Sequence, residues 1–116
     1  MVGQPMNTNI QTISTDVALR LVADRRRRAV LYHLINNADG AMTVTALVDE
    51  MVGPESVLDA GTWNEAQTLS ASLHHNHLPT LADSGVVDLD TQRATVRYRP
   101  TPPMEKLVQF VTEELE

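Results

Sequence analysis

The chain has 116 residues, with room for one modest hydrophobic core and not for two. It contains no cysteine, which excludes disulfides, thiolate metal sites and thiol redox chemistry. Fifteen acidic residues oppose nine basic ones for a net charge of −6, and eight of the nine are arginine, Lys106 being the single lysine. That balance argues against non-specific coating of nucleic acid. It suits a high-salt medium, in which a Debye length of about 3 Å at 1 M mutes self-repulsion.

Residues 1–13 are polar, carry Gly3, Pro5 and Asn7, and show no periodicity, so a mobile arm is expected, with neither a signal peptide nor a membrane span; the default compartment is the cytoplasm. Ser14, Thr15 and Asp16 form a helix-start cluster ahead of Val17, Leu19, Leu21 and Val22. Asp24 then reads as a second cap. Behind it, residues 25–37 place Val30, Leu31, Leu34 and Ile35 on one face, and Asn37 to Gly40 stop that helix. After a short extended piece at Ala41 and Met42, Thr43 caps a helix whose inward residues are Val44, Leu47, Val48 and Met51 and which closes before Gly53 and Pro54.

Residues 53–61 read as a loop. From 62 to 78 the helical period returns, with Ala66, Leu69, Leu73 and His77 inward. Pro79 kinks or ends this helix, and Leu81 and Ala82 give a last turn stopped by Gly85. The period then shortens to two. Val86, Val87 and Leu89, a turn at Asp90 to Arg93, and Thr95 to Arg99 make a β-hairpin ended by Pro100. Finally Thr101 caps a helix opened by Pro102 and Pro103, with an apolar stripe of Met104, Leu107, Val108, Val111 and Leu115 widened by Phe110.

This order of elements, helices, a helix-turn-helix and a two-stranded hairpin, predicts an α+β, mainly α chain of winged helix-turn-helix type: an arm at 1–13, the winged-helix domain at 14–100 and a C-terminal amphipathic helix at 101–116. Local words add to it. The run Asp24-Arg25-Arg26-Arg27-Arg28 before Val30-Leu31-Tyr32-His33-Leu34, and the segment His77-Leu78-Pro79-Thr80-Leu81 before Gly85-Val86-Val87-Asp88, resemble a winged-helix domain family of uncharacterised function from salt-loving archaea. The resemblance covers about residues 16–99 and implies the winged-helix fold and a regulatory role. The chain departs from the family's pattern in one respect: residues 62–78 hold no lysine or arginine and include Glu65.

Candidate DNA-binding residues follow from where polar side chains fall. Asn64, Gln67, Thr68, Ser72 and His75 lie opposite the apolar stripe of the presumed recognition helix and can hydrogen-bond base edges, with Ala71 placed for a thymine methyl. At high salt each phosphate contact loses most of its counterion-release value, so specificity rests on such contacts and on shape. Arg93 at the hairpin tip, with Arg97 and Arg99 two apart on one strand face, suits a backbone or a narrow minor groove; the alternative is cross-strand pairing with Asp88 and Asp90. Arg25 and Arg26 open a helix where guanidinium can meet phosphate. Four consecutive helical arginines point to all sides, however, and the run can instead tie helices together through Asp24 and Asp83, with Arg27 inward.

His74 and His77 share helical i, i+3 spacing, but no carboxylate sits at a matching offset, so His77 reads as a satisfied core or helix-end histidine and no metal, cofactor or catalytic site is assigned. The terminal stripe, Met104, Leu107, Val108, Phe110, Val111 and Leu115, suggests pairing with a second copy. The expected activity is DNA-binding regulation as a homodimer; the alternative is a protein-interaction module on the same frame. No phosphate loop, nucleophile elbow or zinc helix speaks for an enzyme.

Overall fold

A computed structural model describes residues 13–52 and 60–115, with side chains from 65 onward in the second stretch. The expected arm, apart from Ile13, and residues 53–59 of the loop expected at 53–61 lie outside the described residues; Ala60 and Gly61 belong to a helix instead.

Helix α1 spans Thr15–Ala23 and α2 spans Arg25–Ile35, joined by Asp24 alone. Ser14 caps α1 as its position predicts, its hydroxyl accepting from the Val17 N–H at 3.2 Å. Asp24 is extended, at φ −90° and ψ 126°, which breaks the helical path. Its carboxylate accepts from the backbone N–H groups of Arg26 at 2.8 Å and Arg27 at 3.2 Å, capping α2. The arginines complete the corner from the other side. Arg27 donates to the carbonyls of Leu21 and Arg20, and Arg28 to those of Val22 and Ala23. All four carbonyls that the end of α1 leaves without an intrahelical partner thus receive a guanidinium N–H, at the negative end of the helix dipole. Arg27 turns inward as expected, but the run ties the helices through backbone oxygens, whereas Asp83 is exposed.

Asn37 and Gly40, the latter at φ +68°, turn the chain into strand β1, Ala41–Thr43. Thr43 caps α3, Val44–Val52, its hydroxyl accepting from the Ala46 N–H at 3.1 Å. Helix α4 spans Ala60–Ser72, continues through a π-helical turn at Leu73–His77, and becomes α5, Leu78–Asp83. Pro79 therefore does not end the helix. A proline ring collides with the carbonyl four residues back, and widening the preceding turn by one residue is the accommodation made here. Gly85, at φ +83°, supplies the left-handed stop: its N–H donates to Ala82 O and the Val86 N–H to Leu81 O, a Schellman pair.

The hairpin forms as β2, Val87–Asp90, and β3, Thr95–Tyr98, with Asp90 Oδ1 accepting from Gln92 and Arg93 N–H in the turn and Ala94 at φ +50°. Strand β1 adds to it, giving an antiparallel sheet of order β1-β3-β2 in which Val96 lies opposite both Met42 and Leu89. Helix α6, Pro102–Phe110, returns across α1 and α2 and runs on as a π turn, Val111–Leu115. The chain is thus α+β and mainly α, with one small sheet. Among the described residues no helix is long and apolar enough to cross a membrane.

One core joins all these elements. Val30, Leu31, Leu34, Leu47, Leu73, Leu78, Leu81, Val96 and Met104 are wholly buried in it. Two residues expected on the pairing stripe are therefore corrected: Met104 and Val108 face the chain's own core, because the bodies of α1 and α2 leave a trough that α6 fills.

Thr101 is buried, but its hydroxyl donates to Arg99 O at 2.8 Å and does not cap α6. Prolines at the first two helical positions have no N–H to offer a cap, and the next amides, of Met104 and Glu105, go to Thr101 O. The Tyr98 hydroxyl accepts from the Thr101 N–H at 3.0 Å and donates to Glu105 Oε2 at 2.9 Å. Burial, with the Glu105 carboxylate beside it, pushes the phenol well above its usual range, so it stays a neutral donor.

Two substitutions test this frame. Asp24→Ala, which removes both cap acceptors, is expected to cost about 1 kcal/mol in urea unfolding. Tyr98→Phe leaves the Thr101 N–H without its acceptor and should cost about 1–3 kcal/mol in the same assay.

Candidate nucleic-acid interface

Because Ala66, Leu69, Leu73 and His77 turn inward, α4 and its π turn must show their polar residues to solvent. Gln67, Thr68 and His75 are exposed, Ala71 between them is exposed, and Ser72 is half-buried. Asn64 belongs to α4 by its backbone, but its side chain lies outside the described residues. The row contains no cation of its own, and the corner at Asp24 supplies one. Capping α2 there aims Arg25 and Arg26 out of its first turn toward α4, where Arg26 Nη1 donates to Ser72 Oγ at 3.1 Å. Arg25, Arg26 and Thr68 share a cleft of about 590 Å³ with Glu50 and Glu65. Arg25, Arg26, Thr68 and Ser72 are thus brought together, with acids beside them that their sequence positions do not announce.

The hairpin tells a more neutral story. Arg99 donates to Asp88 Oδ1 at 2.9 Å, and the Arg93 guanidinium lies 4.0 Å from Asp90. Arg97 is exposed and sits directly across the ladder from Asp88. The cross-strand alternative therefore holds for Arg99, while Arg93, 85% exposed at its side chain, projects from the turn. No ion pair holds Arg25 or Arg97 among the described residues.

Beneath the polar row, His77 is buried with Nδ1 3.9 Å from Asp24 Oδ1 and without a hydrogen-bond partner among the described residues. It occupies the core but is not the satisfied histidine expected. Burial lowers its pKa below 6.5; Asp24 pulls it up, and the Arg27 and Arg26 charges push it down. For Asp24, burial alone would raise the carboxyl, but the Arg27 and Arg26 N–H groups, with the charges of His77 and Arg27, hold it below 3.8. The pairing was not legible in the sequence, since nothing local links a helix cap to a residue on the far side of the fold. His74 and His75 point outward, away from His77, and among the described residues no three histidines or carboxylates gather in a way that could hold a metal ion.

The chain belongs to a family described as a domain of unknown function, DUF7344, whose pattern matches residues 19–97. The matched stretch takes in the arginine corner, the polar face of α4 and the hairpin as far as Arg97. Neither a curated protein nor a solved structure matches the chain.

The buried histidine sets a pH dependence. The unfolded chain takes up a proton at His77 before the folded chain does, so stability is expected to fall as the pH drops below 6.5 toward the lower folded value, and Asp24 adds a further loss below 3.8. Urea titrations across that range should show a slope just below pH 6.5 that His77→Leu flattens, while the loss below 3.8 remains.

Proposed function

We propose that this chain is a DNA-binding transcription regulator of the winged-helix type. In this reading α3 and α4 form the helix-turn-helix, α4 enters the major groove and the β2–β3 hairpin is the wing. The order of helices, the small sheet and the hairpin after α5 support the winged-helix assignment. One observation carries the functional reading: the Arg26 guanidinium, bonded to Ser72, stands at the edge of an exposed polar helix face that lacks a cation of its own. That is the division of labour a sequence reader needs, with Arg25 and Arg26 for phosphate and Gln67, Thr68, Ser72 and His75 for base edges. Arg93 and Arg97 add wing contacts to backbone. An acidic chain with arginine in place of lysine fits a medium in which counterion release contributes little.

A second reading is favoured by a specific observation. Glu50 and Glu65 share the cleft with the arginines, and Asp88 and Asp90 offset the wing, as suits a module that docks another protein.

The two readings part in a fluorescence-anisotropy titration with the DNA upstream of the chain's own gene against scrambled DNA, over potassium chloride up to molar. Regulation predicts sequence-preferring binding that survives high salt. Thr68→Ala with Ser72→Ala should then lose about 1–3 kcal/mol of preference per base contact, and Arg26→Ala should weaken all sequences alike and lower the salt slope by about one. No preference at any salt favours the docking module.

A further inference from the structure

Four large hydrophobic side chains are exposed among the described residues: Leu19 at 51%, Tyr32 at 42%, Phe110 at 53% and Leu115 at 69%. Three of them belong to α1 or to the end of α6. Leu19 and Phe110 flank a groove of about 370 Å³ between those helices, lined also by Ile13, Ala18, Pro103 and Leu107. The core accounts for part of this face, since Ala18 is buried in it and Ile13 and Leu107 pack against it, but Leu19 and Phe110 stay exposed while Met104 and Val108 serve the core instead.

The patch is self-complementary. It carries a projecting ring and, beside that ring, an apolar groove, which are the two halves of an isologous contact. Charge selects how two copies meet. Lys106 lies four residues before Phe110 in α6, and Glu114 four residues beyond it in the π turn. Antiparallel α6 helices crossing at Phe110 therefore set each Lys106 against Glu114 of the partner subunit. A parallel arrangement would set Lys106 on Lys106 and Glu113 and Glu114 on their own copies.

We propose that the α1/α6 face is the seam of a twofold-symmetric dimer in which antiparallel α6 helices cross at Phe110, each ring seats in the other's groove, and Lys106 faces Glu114 of the partner subunit. Leu107, Phe110, Val111 and Leu115 then contact the second copy, Leu19 and Ile13 widen the seam, and Met104 and Val108 take no part. Nothing in this depends on nucleic-acid binding, and it is measured without DNA.

The absence of native cysteine makes the crossing point directly testable in the full chain. Phe110→Cys under mild oxidation should give a covalent dimer, and Thr91→Cys at the hairpin turn should not. Sedimentation equilibrium from micromolar to millimolar concentration should show a dimer, which Leu19→Glu with Phe110→Glu converts to a monomer of unchanged circular dichroism. At low salt Lys106→Glu should weaken association about tenfold, because two symmetry-related pairs turn repulsive, and Lys106→Glu with Glu114→Lys should restore it. A wild-type chain monomeric throughout overturns the proposal. So does a dimer that survives the Leu19/Phe110 variant, or a charge swap no better than Lys106→Glu alone.

Discussion

Everything in this fold is referred to a single non-helical residue. Asp24 interrupts what would otherwise be one continuous helix, and the corner holds because both loose ends are satisfied at once: amides of the second helix by the Asp24 carboxylate, carbonyls of the first by Arg27 and Arg28. An unsatisfied helix end inside a packed domain costs about 1–3 kcal/mol per buried group. A one-residue joint is therefore tenable only with such partners in place. The direction it imposes on α2 determines where Val30, Leu31 and Leu34 enter the core and where Arg25 and Arg26 leave it.

The same corner links stability to the exposed polar face. His77 is packed beneath the cap of α2, on the far side of the π turn from the outward His75. A change of charge at His77 is felt at Asp24, and through Asp24 by the turn that orients Arg26. The exposed polar face of α4 and the helix corner are thus two sides of one packed layer.

Much of the architecture was legible in the residues themselves. Ser14, Asp24 and Thr43 sit where their short polar side chains serve as caps, Gly40 and Gly85 where only a left-handed backbone closes the turn, and the apolar periods identified the buried faces of α2 to α4, whereas in α1 Leu19 is exposed and Ala18 takes an inward place. What stayed hidden depends on contacts between distant segments. An amphipathic stripe on α6 does not say whether its cover is the chain or a copy of it, and Met104 and Val108 went to the chain. Four arginines in a row do not say that two of them reach back to carbonyls. Proline at 79 signals a break in the hydrogen-bond ladder, yet ending, kinking and widening are equally open until the flanking helices must both keep leucines in the core. Of the polar set on α4, exposure was foreseeable from periodicity; the neutralising company of Glu50 and Glu65 was not, whereas the Asp88 partner of Arg99 was open to view as a cross-strand pair.

The π turn at Leu73–His77 alters how the helix displays its surface. In an unbroken α-helix an inward residue recurs every three or four positions, so an outward row is narrow and regular. Here Leu73 and His77 keep that recurrence, with His74, His75 and Asn76 exposed between them, and the extra residue shows just after it: Leu78 follows His77 inward at once. The outcome is a doubled inward step, His77 and Leu78 side by side, where the π turn passes into α5. The inward face of α5 is thereby stepped by one residue relative to that of α4, and this offset is what keeps Leu78 and Leu81 in the core on either side of Pro79.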